Sequence, residues 1–333
     1  MFKKISCLIL SLTALICCSL GLIITTENYS ADADGVSEIV MELDHATLLH
    51  GKNIDRKLPM ASTTKIMTAL IICEDCNLDE VISVPRAAVG IEGSSIYLKE
   101  NEQISVRDLL YGLMLVSGND AACALAIHHS KSVELFVEKM NQRANKLGAV
   151  NTNFTNPSGL PDENHYTTAN DLCKIACSAL KNETFAQVVS TKYYKGEFRC
   201  FTNKNKLLNS LEGANGVKTG YTEKAGRCLV SSCKRQNMQV VCVVLNCYDM
   251  FERSANLINE SFENFSVESL SKEKIFSYKG KLCSLNKDYS FVVDKRQPIE
   301  YELCAPETDN GVAKLNIYNQ NNLIFSENLF TIK

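Results

Sequence analysis

Residues Lys57–Leu70, KLPMASTTKIMTAL, place Ser62 three residues before Lys65 at the head of an apolar run. Residues three apart share one face of a helix, so this hydroxyl and this amine can meet without help from tertiary structure. A lysine amine is charged at neutral pH, and it can take the hydroxyl proton only where burial or a second cation lowers its pKa. The stretch is therefore either a serine nucleophile with its own base or the solvated start of an ordinary helix.

A single Ser-x-x-Lys pattern does not decide between these alternatives, because it occurs six times in the chain. The informative feature is an ordered set of three motifs, namely Ser62–Lys65 (STTK), Ser117–Asn119 (SGN) and Lys218–Gly220 (KTG), the last of which occurs once. Each motif falls in a suitable predicted setting: a helix start, a turn before a helix, and a strand. Together they favour a nucleophilic site over a solvated helix face.

Each remaining member of the set has a chemical role open to it. Lys218 is a second cation that would lower the pKa of the base if its strand lies beside Ser62. Thr219 offers a hydroxyl beside that lysine, a combination that suits a substrate carboxylate. Gly220 lets a substrate backbone approach the strand closely. Ser117 can relay a proton to a leaving amine, and Asn119 can hold an amide or orient the base.

The predicted elements run in the order strands, helices, strands. Residues 37–43 and 47–52 alternate like the two strands of a hairpin. Helical patterns follow at Ser62–Cys73, Ser105–Val116, Val133–Leu147 and Thr168–Leu180. Strand-like runs return at Gly216–Thr222, Gly226–Arg235 and Met238–Cys247, before a closing helix at Leu257–Phe265. This order predicts an α+β fold, in which the terminal strands form one antiparallel sheet against a helical block.

The first 33 residues have the pattern of an export signal. Lys3 and Lys4 precede an apolar run of about 20 residues, and Ala31–Ala33 (ADA) has the form of a cleavage site. We expect cleavage after Ala33. Because the run approaches bilayer-spanning length, a retained N-terminal anchor in contact with the membrane is the alternative. Either outcome places the bulk of the chain outside the cytoplasm, and a net charge of −3 gives no basic field for nucleic acid.

The rest of the chain is predicted to form two domains. Residues 34–268 would be the catalytic domain, and residues 269–333 a small all-β domain joined near SVESLSKEKI. Most of the 15 cysteines are expected to be small buried hydrophobes. Cys73 and Cys76 have the spacing of a redox or zinc pair, but a second close Cys or His pair is missing. No metal site is therefore predicted, and a Cys73–Cys76 disulfide stays open.

The sequence around the three motifs resembles a known family. The segments KLPMASTTKIMTAL, LMLVSGNDAACALA, NPSGLPDENHYTTANDL and NGVKTGYTEKAGRCLVSS are similar to the low-molecular-mass penicillin-binding D-alanyl-D-alanine carboxypeptidases, serine peptidases of the bacterial cell wall. The resemblance covers roughly Ser37–Phe265. It implies a penicilloyl-serine transferase (β-lactamase-like) catalytic domain that uses no cofactor. The β tail resembles the second domain of this family more weakly.

The resemblance also implies a reaction and its partners. Ser62 would attack the peptide bond between the last two D-alanines of a peptidoglycan stem peptide, with Lys65 as its base. Ser117, with Lys65 or Lys218, would deliver a proton to the departing D-alanine, and water would then release the acyl-enzyme. β-Lactam antibiotics would be covalent inhibitors. The site of action would be the extracytoplasmic face of the bacterial membrane or the cell wall.

A substrate-binding set is implied in the same way. Lys218 and Thr219 would hold the terminal carboxylate of the peptide. The backbone N–H groups of Ser62 and Tyr221 would form the oxyanion hole. Lys204 stands where many relatives carry an arginine that faces the site.

Two other functions stay open. A class A β-lactamase uses a glutamate between the second and third motifs to activate the deacylating water. Glu163 lies in that interval but lacks the usual local pattern, so we expect penicillin to acylate Ser62 and to leave slowly. A non-catalytic wall-binding scaffold is the other alternative, although it would have no need of Lys65 or Ser117. Structural or solvent roles are expected for the histidines His128, His129 and His165.

Overall fold

The computed structural model describes residues 35–197, 199–306 and 311–332. The predicted signal or anchor, residues 1–33, lies outside the described residues. Within those ranges, none of the helices combines the length and the apolar character that crossing a membrane requires.

Strands occupy both ends of the described chain, and helices occupy most of its middle. The strands are β1 (Ser37–Glu42), β2 (Leu48–Lys52), β3 (Val81–Ser83), β4 (Gln103–Ser105), β5 (Tyr193–Lys195), β6 (Cys200–Thr202), β7 (Ala214–Thr222), β8 (Gly226–Arg235), β9 (Met238–Leu245), β10 (Phe265–Leu270), β11 (Phe276–Tyr278), β12 (Lys281–Ser284), β13 (Tyr289–Asp294), β14 (Ile299–Cys304), β15 (Ala313–Asn319) and β16 (Asn322–Thr331). The α-helices are α1 (Lys65–Asp75), α2 (Val106–Leu115), α3 (Asn119–Ser130), α4 (Val133–Lys146), α5 (Ala169–Leu180), α6 (Glu183–Ser190), α7 (Leu207–Ser210) and α8 (Met250–Asn264). Short 3₁₀ turns lie at Ala61–Thr64 and Arg86–Ala88.

The main sheet is antiparallel and joins early strands to late ones, in the order β2-β1-β9-β8-β7. β1 pairs with β9, so that Ile39 lies opposite Val243 and Val40 opposite Cys242. This is the α+β arrangement that the sequence predicts, and the hairpin of β1 and β2 is also found as expected. The order brings β7, which carries Lys218–Gly220, to one edge of the sheet.

Helices cover both faces of this sheet, which explains why its strands are almost continuously apolar. Ile39 and Val243 belong to the hydrophobic core shared with α1 to α6. Their sequence neighbours Val40 and Cys242 point to the other face, where they share a second core with Leu257 of α8. The helical block that carries the first two motifs therefore lies on one face only.

Local signals account for several helix ends. The side chains of Ser105 and Thr168 accept hydrogen bonds from the backbone N–H groups of Asp108 and Asp171, as the predicted N-caps should. Gly148 has a left-handed φ of +71° just beyond α4, where the sequence predicts the end of that helix.

The closing helix is longer than predicted. It spans Met250–Asn264 rather than Leu257–Phe265. Its first half buries Met250 and the small side chain of Ser254 instead of a row of large apolar residues. The helical period is therefore hidden in the sequence there.

The C-terminal strands have a hydrophobic core of their own, which includes Leu270, Phe291 and Leu315. Among the described residues they form a sheet in the order β11-β12-β16-β15-β14 and a separate pair of β10 with β13. The segment predicted as a linker is in part a strand, because β10 runs from Phe265 to Leu270. The domain boundary between residues 268 and 269 stays a prediction.

Most cysteines are buried, as the sequence predicts. The buried ones are Cys123, Cys173, Cys177, Cys228, Cys233, Cys242, Cys247 and Cys283. Cys73 and Cys76 are partly buried free thiols. Burial raises the pKa of Cys73 to about 12 and that of Cys76 to about 11, so both are protonated at neutral pH.

Candidate active site

Ser62 lies in the 3₁₀ turn Ala61–Thr64, which leads directly into α1. A side-chain hydrogen bond closes the turn, since Thr64 Oγ1 donates to Ala61 O over 2.8 Å. Ala61 has a φ of +48°, a left-handed conformation that is uncommon outside glycine. Backbone strain of this kind is concentrated at functional sites. The turn thus presents Ser62 at the start of the helix that carries Lys65.

The Lys65 amine is fully buried and contacts three oxygen atoms among the described residues. Its Nζ lies 2.9 Å from Ser62 Oγ, 2.7 Å from Asn119 Oδ1 and 2.6 Å from Ser158 O. Asn119 is oriented by its Nδ2, which donates to Glu92 O over 2.6 Å. A neutral amine has two N–H groups and one lone pair, and the two carbonyl oxygens can only accept. The lone pair is therefore left facing the hydroxyl of Ser62.

Electrostatics favour this neutral state. Burial, and then the positive charges of Lys218 and Lys204, lower the pKa of Lys65 well below its usual value, against the smaller opposing effect of Asp120. Burial, and then the charge of Lys204, lower the pKa of Lys218 to about 7. Lys218 can therefore change charge near neutral pH, unlike a lysine in water, and the lowered pKa of Lys65 favours its neutral form.

Ser117 lies in the turn between α2 and α3, with a left-handed φ of +70°. Its Oγ is buried and has no hydrogen-bond partner among the described residues. The next helix start ties down the neighbouring loop, because Asn119 N donates to Ser94 O over 2.7 Å and the Asp120 carboxylate accepts from Ile96 N over 3.0 Å. An unpaired buried hydroxyl costs about 1–3 kcal/mol, so that of Ser117 is poised to bond an incoming group.

The strand β7 runs beside the Ser62 turn. A Cβ atom added at Gly220 would lie 3.1 Å from both Met60 O and Ser62 N, so glycine relieves a tight approach of the two backbones. Gly220 thus serves the approach of the strand to the turn, a role that the sequence analysis did not foresee. Lys218 is 2 % exposed and donates from Nζ to Thr219 O over 3.0 Å.

A cavity of about 580 Å³ opens between these elements. It is lined in part by Ser62, Glu92, Asn119, Ser158, Gly159 and Tyr221. The predicted residues Lys65, Ser117, Lys218 and Gly220 are buried and are not among the lining residues. Lys204 is exposed on the segment after β6, and it acts on the two buried lysines through its charge. A second cavity of about 590 Å³, near the turn between β8 and β9, contains none of the predicted residues.

The loop Asn156–Leu160 lies beside Lys65 but is not among the predicted site residues. Asn156 Oδ1 accepts hydrogen bonds from the backbone N–H groups of Ser158, Gly159 and Leu160, at 3.1, 2.7 and 3.1 Å. These three hydrogen bonds hold the loop in the conformation in which Ser158 O faces the amine of Lys65. The turn-forming run Asn-Pro-Ser-Gly in the quoted segment NPSGLPDENHYTTANDL was the available signal.

Comparison with known proteins matches the chain to an established family. The sequence profile of the peptidase S11 family, described as D-alanyl-D-alanine carboxypeptidase, matches residues 24–249, more than half of the chain. The chain belongs to this family. The family that the motifs predict is thereby confirmed, as is the penicilloyl-serine transferase fold.

Members of the D-alanyl-D-alanine carboxypeptidase family from several bacteria are similar to this chain. The D-alanyl-D-alanine carboxypeptidase DacF of Bacillus subtilis is 36% identical over 251 residues, which cover 71% of this chain and 64% of that protein. The aligned part is thus just under two thirds of that relative's length. The D-alanyl-D-alanine carboxypeptidase of Streptomyces sp. K15 is 39% identical over 221 residues, which cover 60% of this chain and 76% of that protein.

Solved structures of the family superimpose on most of the chain. The crystal structure of penicillin binding protein 5 from Haemophilus influenzae has a TM-score of 0.74 at 29% identity, covering 89% of this chain and 96% of that one. A mutant of the Streptomyces K15 DD-transpeptidase has a TM-score of 0.66 at 35% identity and covers 68% of this chain and 97% of its own.

Within this family fold, Gly159 makes a testable contact with the Ser62 turn. Gly159 has a φ of +87°, and an added Cβ would overlap the carbonyl group of Ala61. We expect Gly159→Ala to lower the free energy of unfolding by at least about 2 kcal/mol. The overlap of the new Cβ with Ala61 adds to the cost of holding an alanine in a left-handed conformation. Urea unfolding followed by circular dichroism measures this.

Gly148→Ala is the matched control for that substitution. Gly148 is also left-handed, with a φ of +71°, but an added Cβ there meets no atom within 4 Å. We expect the free energy of unfolding of this variant to fall by only about 1 kcal/mol, the cost of the left-handed conformation itself. Equal losses in the two variants would show that Gly159 does not press on the turn.

Proposed function

We propose that this protein is a serine D-alanyl-D-alanine carboxypeptidase that removes the terminal D-alanine from peptidoglycan stem peptides through an acyl-enzyme on Ser62. The observation that carries the proposal is the buried Lys65 amine, with its lone pair aimed at Ser62 Oγ 2.9 Å away. The names of the relatives give the substrate class, D-alanyl-D-alanine peptides.

In the acylation step, Lys65 takes the proton of the Ser62 hydroxyl as its oxygen attacks the carbonyl carbon of the penultimate D-alanine. The resulting ammonium is stabilised where it forms, because Asn119 Oδ1 and Ser158 O already accept from the same nitrogen. The oxyanion is held by the N–H groups of Ser62 and Tyr221. Gly220 supports this by allowing β7 to lie against the turn.

The departing D-alanine needs a proton on its amine. We assign this proton to the Ser117 hydroxyl, which is buried and unpartnered among the described residues, and Lys65 or Lys218 would resupply it. Expulsion of a neutral amine rather than an amide anion makes the collapse of the tetrahedral intermediate feasible.

The terminal carboxylate of the substrate binds at the cationic side of the cleft. Burial and the charge of Lys204 lower the pKa of Lys218, and a carboxylate bound beside these lysines would favour the charged form of Lys218. The Thr219 hydroxyl offers a further hydrogen bond. A peptide that ends in an amide would lose these contacts.

A β-lactamase activity is disfavoured by the surroundings of the amine. Glu163 is exposed and does not line the cavity among the described residues. Beside Lys65 lies the main-chain oxygen of Ser158, which cannot act as a general base towards water. Penicillin therefore acylates Ser62 and leaves slowly.

The setting of the enzyme follows from its substrate. Peptidoglycan lies outside the cytoplasm, so residues 34–268 act there as the catalytic domain, and residues 269–333 form an accessory β domain. The segment 1–33 directs export and, if retained, holds the protein at the membrane.

The proposal is tested by incubating the purified protein with two pentapeptides that differ only at the end, D-Ala-D-Ala and D-Ala-L-Ala. Released D-alanine is measured with a D-amino-acid oxidase assay, and the tetrapeptide product of either peptide is measured by mass spectrometry. We expect one D-alanine per tetrapeptide from the first peptide only. Formation of peptide dimers without free tetrapeptide would show that the enzyme is a transpeptidase and not a carboxypeptidase. Absence of any product would reject the proposed function.

Lys204→Met is expected to shift the pH dependence of acylation. Acylation needs neutral Lys65, so its rate rises with pH through the pKa of that amine. The charge of Lys204 lowers the pKa of both Lys65 and Lys218. Removing it should move the acid limb, and the alkaline limb set by Lys218 near pH 7, to higher pH. Second-order rate constants for penicillin acylation between pH 5 and pH 10 measure this.

Lys206→Met is the control, since Lys206 is also exposed and its charge contributes to neither lowered pKa. If Lys204→Met lowers the acylation rate constants at every pH without shifting either limb of the pH profile, then Lys204 contributes to binding alone.

A further inference from the structure

A chain of hydrogen bonds lies behind the Ser62 turn and has no part in the mechanism above. It starts at His165, which is 3% exposed. Its Nδ1 lies 3.0 Å from the backbone nitrogen of Thr155, and because an N–H can only donate, Nδ1 must accept. The ring proton is then on Nε2, which donates to Thr64 Oγ1 over 2.8 Å. The Thr64 hydroxyl in turn donates a hydrogen bond to Ala61 O over 2.8 Å.

The chain ends on a peptide group that matters for the reaction. The carbonyl of Ala61 and the N–H of Ser62 are the two ends of one planar peptide unit. A bond that fixes the carbonyl therefore also fixes the direction of the N–H. Hydrogen bonding at the carbonyl polarises the unit as well and strengthens the N–H as a donor.

The same peptide unit is confined on two other sides. Gly159 lies against the Ala61 carbonyl so closely that an added Cβ would overlap it. Gly220 lies against the N–H side, where an added Cβ would be 3.1 Å from Ser62 N. These contacts limit translation of the peptide unit, and the bond from Thr64 adds control of its rotation.

We propose that Thr64 and His165 are positioning residues that aim the backbone N–H of Ser62 into the oxyanion hole. The inference rests on the proposed function, since it assumes that an oxyanion forms beside Ser62. Neither side chain touches substrate or the amine of Lys65 through the bonds described. They act through Ala61 O, and their effect belongs to the transition state, where negative charge develops.

The donor and acceptor roles in this chain of hydrogen bonds do not change near neutral pH. Burial lowers the pKa of His165 to about 4, against a smaller opposing effect of the Asp162 charge and with a still smaller lowering by Lys65. The imidazole is therefore neutral at neutral pH, and Nδ1 stays an acceptor towards Thr155 N. Phe154 meets the imidazole edge to face, with ring centroids 5.8 Å apart, and helps to hold its orientation.

The test compares Thr64→Val and Thr64→Ser. Valine keeps the shape but removes the hydroxyl, whereas serine keeps the hydroxyl. Stopped-flow kinetics with a chromogenic penicillin separate the non-covalent Kd from the acylation rate constant. We expect Thr64→Val to slow acylation on the order of 10-fold, less than the 10²–10³ that follows loss of a whole oxyanion donor. The Kd should stay within about twofold, and Thr64→Ser should recover most of the rate.

Thr167→Val is the matched control. Thr167 is equally buried, and its hydroxyl lies 2.8 Å from that of Thr152, but it is not bonded to the Ser62 turn. We expect a wild-type acylation rate from it. His165→Gln tests the far end of the chain with Thr64 intact, and it serves alone if Thr64→Val does not fold. It should slow acylation without changing Kd.

Several results would overturn the inference. They are an unchanged acylation rate in folded Thr64→Val or His165→Gln, an equal loss in Thr64→Ser and Thr64→Val, or an equal loss in Thr167→Val. Failure of the proposed function gives a different result, because a wild-type protein that acylates with penicillin but releases no D-alanine still allows these rates to be compared.

Discussion

Ser62→Ala should abolish covalent labelling of this protein by a fluorescent penicillin and stop the release of D-alanine. The substitution removes the atom that attacks the substrate in the proposed acylation step, while the turn that carries it is held by Thr64 and Gly159 and should persist. Loss of the serine in a serine peptidase lowers kcat on the order of 10⁶-fold. Gel fluorescence after labelling, with thermal unfolding to verify the fold, measures the effect.

Ser178→Ala is the control for that loss. Ser178 also heads a Ser-x-x-Lys pattern on a helix, with Lys181 three residues later, but it lies in α5 and does not line the cavity. It should label as the wild type does. A labelled Ser62→Ala protein would move the nucleophile elsewhere and end the proposed mechanism.

Lys65→Arg is expected to slow acylation about 10²- to 10⁴-fold, the usual contribution of a general base. Arginine keeps a cation and several N–H donors, but it cannot be deprotonated in a protein. It therefore puts a permanent charge where the mechanism needs a neutral amine with a lone pair. Stopped-flow acylation with the chromogenic penicillin measures the rate constant.

Because arginine is larger than the buried site it would enter, Lys65→Met is the companion variant. It is similar in length and uncharged, and it should be slow for the same reason. If either variant folds and acylates within about tenfold of the wild type, then Lys65 is not the base, and Lys218 becomes the candidate.

The sequence predicts those parts of the site that depend on local spacing. Ser62 and Lys65 meet because they are three residues apart at a helix start, and this needs no knowledge of the fold. The main sheet is predictable for a similar reason, since strands buried on both faces leave long apolar runs. The caps at Ser105 and Thr168 carry their own side-chain signal.

The parts that the sequence does not predict are mostly backbone atoms. Ser158 O and Glu92 O bond to the base and to Asn119, yet a main-chain oxygen has no residue type to recognise. Gly220 was assigned to substrate approach because its contact with the Ser62 turn depends on how a distant strand packs. His165 was expected to have a structural or solvent role for the same reason, as its contacts with Thr64 lie about a hundred residues away in the chain.

The burial of two lysines with lowered pKa values makes the unfolding of this protein a proton-consuming reaction. In the unfolded chain, Lys65 and Lys218 regain ordinary pKa values near 10.5 and are protonated at pH 8. In the folded protein Lys218, with a pKa of about 7, is mostly neutral at that pH, and the lowered pKa of Lys65 acts in the same direction. Stability from these groups therefore increases with pH up to the unfolded value and decreases towards acid. The heat measured in a calorimeter at pH 8 will accordingly depend on the ionisation enthalpy of the buffer that donates the protons.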